Sequence, residues 1–120
     1  MIKILLADDH GAIRQRLKQI LLDEYPFSLI EEVADGYGLL QQTRAKDWDL
    51  VIADISMPAM SGLEALRHIR LSHPSLPVLL LSIYCDDDYA GHAIRAGASA
   101  YLCKEAAYEE LVSTIRRLIV

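Results

Sequence analysis

Short apolar runs alternate with longer amphipathic stretches along the whole chain, and this alternation limits the possible folds more than any other feature. Ile2–Ala7, Leu50–Ala53 and Val78–Ser82 are almost entirely apolar. Such runs are typical of strands buried on both faces, as in a parallel sheet covered by helices. Two weaker runs, Leu29–Ala34 and Ser99–Cys103, complete five units of strand followed by helix. We therefore predict one α/β domain with right-handed crossovers.

The stretches between the strands have helical spacing. Apolar stripes run through Ile13, Leu17, Ile20 and Leu21, through Ala65, Leu66 and Ile69, and through Tyr108, Leu111, Ile115 and Leu118. Ser61 followed by Glu64 predicts a capping box at the start of one helix, and Gly97 predicts the end of another. Two charged residues, Glu31 and Glu32, interrupt the second strand and predict that it lies at the edge of the sheet.

The composition excludes several classes of protein. The 120 residues are 52% hydrophobic and carry a net charge of −5, which disfavours direct binding of nucleic acid. The sequence has no apolar run as long as a membrane span and no cleavable signal, so we expect a cytoplasmic protein without a membrane partner. Cys85 and Cys103 form no CxxC motif, and we expect them to be reduced thiols. Because Cys103 precedes Lys104, redox control stays open as an alternative.

Polar side chains stand where the strands end. Asp8 and Asp9 follow the first strand, Asp54 follows the third, Ser82 ends the fourth and Lys104 follows the fifth. In an open parallel sheet, ligands bind at the edge formed by the carboxyl ends of the strands. A strand order of 2-1-3-4-5, known from other doubly wound sheets, would bring the three aspartates together there.

Three neighbouring carboxylates repel one another unless protons or a hard cation lie among them. Oxygen ligands in a shallow site favour Mg²⁺, which prefers a phosphate as a further ligand. We therefore predict that Asp54 is a nucleophile that accepts a phosphoryl group, with Asp8 and Asp9 holding the metal and with Ser82 and Lys104 binding phosphoryl oxygens. Each residue alone has an ordinary explanation, such as helix capping or a solvated charge, so the prediction depends on their joint placement.

Over its whole length the chain resembles the CheY-like receiver domains of bacterial two-component response regulators. The resemblance rests on Leu6–His10, Asp49–Pro58, Gly62, Ser82 and Ala98–Lys104. The wording Ala-Asp-Asp-His and Arg-Ala-Gly-Ala-Ser-Ala-Tyr-Leu is similar to the NarL/FixJ (LuxR-type) subfamily, whose receivers usually precede a helix-turn-helix DNA-binding domain. One departure is Ala59, where glycine is frequent.

The resemblance implies a flavodoxin-like (βα)5 fold for residues 1–120, with a five-stranded parallel sheet in the order 2-1-3-4-5. It implies that a sensor histidine kinase phosphorylates Asp54 and that the domain is a signalling module rather than an enzyme, although it promotes its own phosphorylation and dephosphorylation. Tyr101 matches the switch aromatic of the family. The implied Mg²⁺ ligands are Asp8, Asp9, Asp54 and the backbone carbonyl of Ser56.

The chain stops at Val120 without a linker or a recognition helix. We expect either a receiver separated from a longer transcription factor, with DNA bound only by an absent output domain, or a stand-alone receiver. A phosphorylation-dependent homodimer and a phosphorylation-independent interaction module on the same fold also stay open. A flavodoxin-type electron carrier is disfavoured because Asp8 and Asp9 would repel the FMN phosphate. A phosphatase of the haloacid dehalogenase type is disfavoured because Ser56 replaces its second aspartate.

Overall fold

Five strands and five helices alternate along residues 1–119, the part of the chain that the computed structural model describes. The strands are β1 Lys3–Ala7, β2 Leu29–Val33, β3 Leu50–Asp54, β4 Val78–Ser82 and β5 Ala100–Cys103. The helices are α1 Gly11–Glu24, α2 Gly36–Ala45, α3 Gly62–Ser72, α4 Asp87–Arg95 and α5 Lys104–Leu118. All strand pairs are parallel, and the order β2-β1-β3-β4-β5 confirms the predicted fold. Within residues 1–119, no helix has both the length and the hydropathy that crossing a membrane requires.

Helices cover both faces of the sheet because successive strand residues point to opposite faces. Leu5 and Ala7 of β1 pack in a cluster with α2, α3 and α4, whereas Ile4 and Leu6 pack with α1 and α5. Every residue of β3 and β4 is buried, which explains the continuous apolar runs in their sequences. Each fully buried leucine or isoleucine contributes about 1.5–3 kcal/mol relative to an exposed one, so these two strands anchor the sheet.

The edge strand β2 lies where its two glutamates predicted, and both glutamates pair with cations of neighbouring helices. Glu31 pairs with Lys46, which follows α2. Glu32 lies 3.3 Å from both Arg14 and Lys18 of α1. Because these helices cover opposite faces of the sheet, an ion pair flanks β2 on each face.

The loops before α3 and after α4 follow the predicted signals. Ser61 Oγ accepts a hydrogen bond from the backbone N–H of Glu64 at 3.1 Å, so the predicted cap begins α3. Gly97 follows α4 with a φ of +110°, the left-handed region that glycine adopts readily. Ala59 has a φ of +66°, a left-handed conformation that glycine adopts more readily than alanine.

Arg70 joins the end of α3 to the loop before β5. Its guanidinium donates hydrogen bonds to the backbone carbonyls of Gly97 at 2.7 Å, His73 at 2.9 Å and Leu76 at 2.7 Å. We expect Arg70→Ala to lower the free energy of unfolding by about 2–3 kcal/mol, because half-buried carbonyls lose a charged donor. Arg67→Ala, on the exposed side of the same helix, should lower it by less than about 0.5 kcal/mol. Urea unfolding measures both, and equal losses would contradict this role of Arg70.

Candidate functional site

Three of the predicted site residues meet in a buried cluster at the carboxyl edge of the sheet. Residues Ala7 and Ala53 pair between β1 and β3, so the residues that follow them, Asp8 and Asp54, lie side by side. Lys104 Nζ donates a hydrogen bond to Asp54 Oδ2 at 2.9 Å and lies 3.0 Å from Asp8 Oδ2. Asp54 is the last residue of β3 and Lys104 is the first residue of α5, so each lies at the boundary of an element.

The charges in this cluster influence one another. Burial raises the pKa of Asp54 above its ordinary value of 3.8, and the hydrogen bonds from Lys104 and from the Ser56 backbone N–H, at 3.1 Å, offset only part of that effect. Burial alone would lower the pKa of Lys104, but its hydrogen bond to Asp54 and its electrostatic attraction to Asp54 and Asp8 outweigh burial and raise it. The ammonium therefore stays charged between two carboxylates over a wide pH range.

The acidic side chains also fit a hard divalent cation. Within residues 1–119, the buried Asp8 Oδ2 accepts no hydrogen bond of acceptable angle, even though Lys104 is close. One oxygen from each of Asp8, Asp9 and Asp54 and a ring nitrogen of His10 lie within 4.8 Å of one another. Because one lysine cannot neutralise three carboxylates, a mainly oxygen-lined site of this kind suits Mg²⁺.

Two residues that the sequence interpretation did not select contact the acidic pair. His10 Nδ1 lies 3.2 Å from Asp8 Oδ1 and 3.2 Å from Asp9 Oδ1. Arg14 Nη1 donates a hydrogen bond to the backbone carbonyl of Asp8 at 2.5 Å. His10 caps the N-terminus of α1 with an extended backbone, and its backbone N–H donates to Asp8 Oδ1 at 2.8 Å, whereas Arg14 lies in the first turn of the helix. The two-residue separation of Asp8 and His10 is the signal that could have identified the histidine.

The predicted serine and switch tyrosine contact the loop of residues 83–86, called here the β4–α4 loop. Ser82 is buried, and its Oγ accepts a hydrogen bond from the backbone N–H of Tyr84 at 3.0 Å. Within residues 1–119, this hydroxyl makes no hydrogen bond to Asp54. Tyr101 Oη donates to the backbone carbonyl of Tyr84, whose ring stacks on Tyr89 with centroids 4.8 Å apart. The switch role of Tyr101 therefore stays a prediction.

The expectation of two separate reduced thiols is wrong, because the Sγ atoms of Cys85 and Cys103 are bonded to each other. Their Cα atoms are 5.0 Å apart, within the usual range for a disulfide. Cys85 is exposed in the β4–α4 loop, and Cys103 is half-buried at the end of β5. The 18-residue separation carries no sequence motif, so only the folded loop reveals the pairing.

Gly62 packs directly against the backbone of the candidate nucleophile. A Cβ atom on Gly62 would lie 2.1 Å from the carbonyl oxygen of Asp54, which is far inside van der Waals contact. We expect Gly62→Ala to lower the free energy of unfolding by about 3 kcal/mol, because backbone must move to relieve the clash. Gly11→Ala is the matched control, since its nearest contact would be 3.9 Å away. Thermal unfolding compares the two variants, and equal melting temperatures would contradict the clash.

Comparison with known proteins agrees with this geometry. Residues 4–116 match the family profile of the response regulator receiver domain. The chain belongs to this receiver family. Receiver domains bind Mg²⁺ at a cluster of acidic residues, and this receiver has such a group in Asp8, Asp9 and Asp54.

The relatives of this receiver include regulators of transcription. The transcriptional regulatory protein DegU of Brevibacillus brevis is 34% identical over 115 residues, which cover 96% of this chain and 49% of DegU. The response regulator UvrY of Shigella flexneri is 35% identical over 116 residues, which cover 97% of this chain and 53% of UvrY. This receiver therefore spans about half the length of the curated relatives it matches.

A similar solved structure is also that of a response regulator. A DNA-binding response regulator of the LuxR family from Staphylococcus aureus matches with a TM-score of 0.87 and 29% identity, over 100% of both chains. The predicted resemblance to NarL/FixJ (LuxR-type) receivers is confirmed.

Proposed function

We propose that this receiver accepts a phosphoryl group on Asp54 from the phosphohistidine of a sensor histidine kinase. One observation carries the proposal: the buried Asp54 carboxylate lies beside Asp8 and 2.9 Å from the Lys104 ammonium. A carboxylate of raised pKa between acidic ligands and a fixed cation is suited to a transfer in which positioning and charge stabilisation supply most of the catalysis.

The transfer forms one bond and breaks one bond. An Asp54 oxygen attacks phosphorus, the new O–P bond forms, and the P–N bond of phosphohistidine breaks, with its electron pair passing to the imidazole. The Lys104 ammonium then holds a phosphoryl oxygen, and the Ser82 hydroxyl donates to another. Attack of water on phosphorus later releases phosphate and regenerates the Asp54 carboxylate.

Asp8, Asp9, Asp54 and the backbone carbonyl of Ser56 are the residues that would hold Mg²⁺. When bound, the ion supplies positive charge to the phosphoryl oxygens. The protein contributes the arrangement: Lys104 spans Asp8 and Asp54, and His10 contacts both members of the acidic pair.

The proposed output is a two-state switch. If the Ser82 hydroxyl donated to the phosphoryl group, it would turn away from the Tyr84 N–H, and Tyr101 would lose its hydrogen-bond partner on the same loop.

We assign residues 1–120 to the receiver unit of a cytoplasmic protein. Transcription would be controlled by a C-terminal helix-turn-helix domain, after phosphorylation-dependent pairing of receivers, and this unit itself would not bind DNA.

Intact-mass analysis after incubation with acetyl phosphate and Mg²⁺ tests the proposed function. We expect the mass to rise by one phosphoryl group, and a chelator of divalent ions should prevent the gain because the acidic cluster would lack its cation. No gain, under conditions in which another receiver is labelled, would overturn the proposal. The chain would then be a phosphorylation-independent interaction module.

A further inference from the structure

The β4–α4 loop is tied covalently to β5. Ser82 and Cys103 are register partners on β4 and β5, and Cys85 follows Ser82 by three residues. The bond between Cys85 and Cys103 therefore closes a small ring over the carboxyl end of β4. This ring contains no residue of the acidic cluster, but Lys104 follows Cys103 directly. The disulfide thus links the segments that carry Ser82 and Lys104.

Weaker contacts hold the same loop in the same position. The Tyr84 N–H donates to Ser82 Oγ at 3.0 Å, and the Tyr84 carbonyl accepts from Tyr101 Oη. The rings of Tyr84 and Tyr89 are nearly parallel, at 10°. Hydrogen bonds and stacking exchange rapidly, whereas a disulfide persists until a thiol attacks it. The covalent tie is the contact that can keep the loop in place.

We propose that Cys85 and Cys103 form a reversible dithiol–disulfide pair that, when oxidised, fixes the β4–α4 loop on β5 and holds Ser82 Oγ against the Tyr84 N–H. Reduction frees the loop, so that the Ser82 hydroxyl can turn toward Asp54. The effect on phosphorylation rests on the proposed function of Asp54, whereas the effect on the loop does not.

Exposure of Cys85 makes the exchange chemistry feasible. A thiolate of a dithiol reductant attacks Cys85 Sγ, a mixed disulfide forms, and Cys103 leaves as a thiolate. The second thiolate of the reductant then displaces Cys85 and closes the disulfide of the reductant. Two electrons pass from the dithiol to the protein, and the two protein thiolates take up the two protons that the dithiol lost. A low-molecular-weight disulfide reverses the reaction.

Three measurements on the full chain test this pair, each made after oxidised glutathione and again after dithiothreitol. Alkylation followed by mass analysis should count no free thiols in the oxidised chain and two in the reduced chain. Hydrogen exchange of the Tyr84 amide, followed by NMR, should be on the order of tenfold faster in the reduced chain, because Ser82 Oγ no longer holds that amide. The rate of mass gain with acetyl phosphate and Mg²⁺ should also rise about tenfold on reduction.

Cys85→Ser and Cys103→Ser are the matched controls, and in both solutions each should show the Tyr84 exchange rate and the phosphorylation rate of the reduced chain. Two free thiols after oxidised glutathione, or an equal Tyr84 exchange rate in both states, would overturn the pair. If the Tyr84 exchange rate differs between the two states but the phosphorylation rates are equal, the cysteine pair does not control Asp54. If neither state is phosphorylated, the proposed function fails, and the thiol count and the Tyr84 amide still decide whether the pair fixes the loop.

Discussion

Replacing Asp54 with asparagine is expected to abolish phosphoryl acceptance while the domain stays folded. The amide has nearly the same shape, but it lacks the anionic oxygen that attacks phosphorus, so the rate should fall by at least about 10³-fold. Intact-mass analysis with acetyl phosphate and Mg²⁺ measures the loss. Asp47→Asn is the matched control, because Asp47 is exposed and belongs to no part of the acidic cluster, and its labelling should equal that of the native chain.

The same substitution has a predictable effect on stability. Because burial raises the folded-state pKa of Asp54 above 3.8, the native chain loses stability as the pH rises from 3.8 through that raised pKa. The amide that replaces this carboxyl does not titrate. Without divalent ions, Asp54→Asn should therefore be at least as stable as the native chain at neutral pH, and this advantage should vanish below pH 3.8. If a folded Asp54→Asn chain were still labelled, another residue would have to be the phosphoryl acceptor.

Replacing Lys104 with methionine is expected to destabilise the fold at neutral pH. The change leaves Asp8 and Asp54 buried without their shared cation, which should lower the free energy of unfolding at neutral pH by about 3 kcal/mol. Mg²⁺ should restore much of this loss, because it binds the folded cluster and not the unfolded chain. Urea unfolding with and without Mg²⁺ measures both effects.

The pH dependence separates lost charge from lost packing. The folded-state pKa of Lys104 is raised above 10.5, so its charge stabilises the fold below that pH, and the contribution disappears as the pH rises through the folded value. The native chain and Lys104→Met should therefore become similar in stability only above pH 10.5. Lys18→Met, which removes a partly exposed partner of Glu32, should cost less than about 1 kcal/mol. Equal losses of unfolding free energy in Lys104→Met and Lys18→Met would show that the buried ion pairs of Lys104 stabilise the fold no more than an exposed pair does.

The sequence predicted the acidic cluster because topology alone brings strand ends together. Once β1 and β3 are neighbours, Asp8 and Asp54 must lie at the same edge, and this requires no knowledge of side-chain conformation. Lys104 was found for the same reason, since it follows β5. Runs of buried apolar residues predicted the strands equally well, and no predicted strand end differs from the observed one by more than one residue.

Contacts that depend on the path of a loop were not predictable in this way. Cys85 contacts Cys103 only because the β4–α4 loop folds back over the end of β4. The residues next to the two cysteines in the sequence do not predict this course of the loop. The direction of the Ser82 hydroxyl is set by the Tyr84 N–H of the same loop. His10 was overlooked because the turn between β1 and α1, and not the end of a strand, brings its ring to the acidic pair.

The ion pairs on both faces of β2 also determine how the sheet meets other chains. A strand from a second molecule could extend the sheet at this edge only by approaching Glu31 and Glu32 and disturbing their pairs with Lys46, Arg14 and Lys18. Removing water from such charges is unfavourable, so the edge resists strand addition by a second molecule. Growth of this sheet into an aggregate by strand addition is therefore disfavoured by charge on the β2 side.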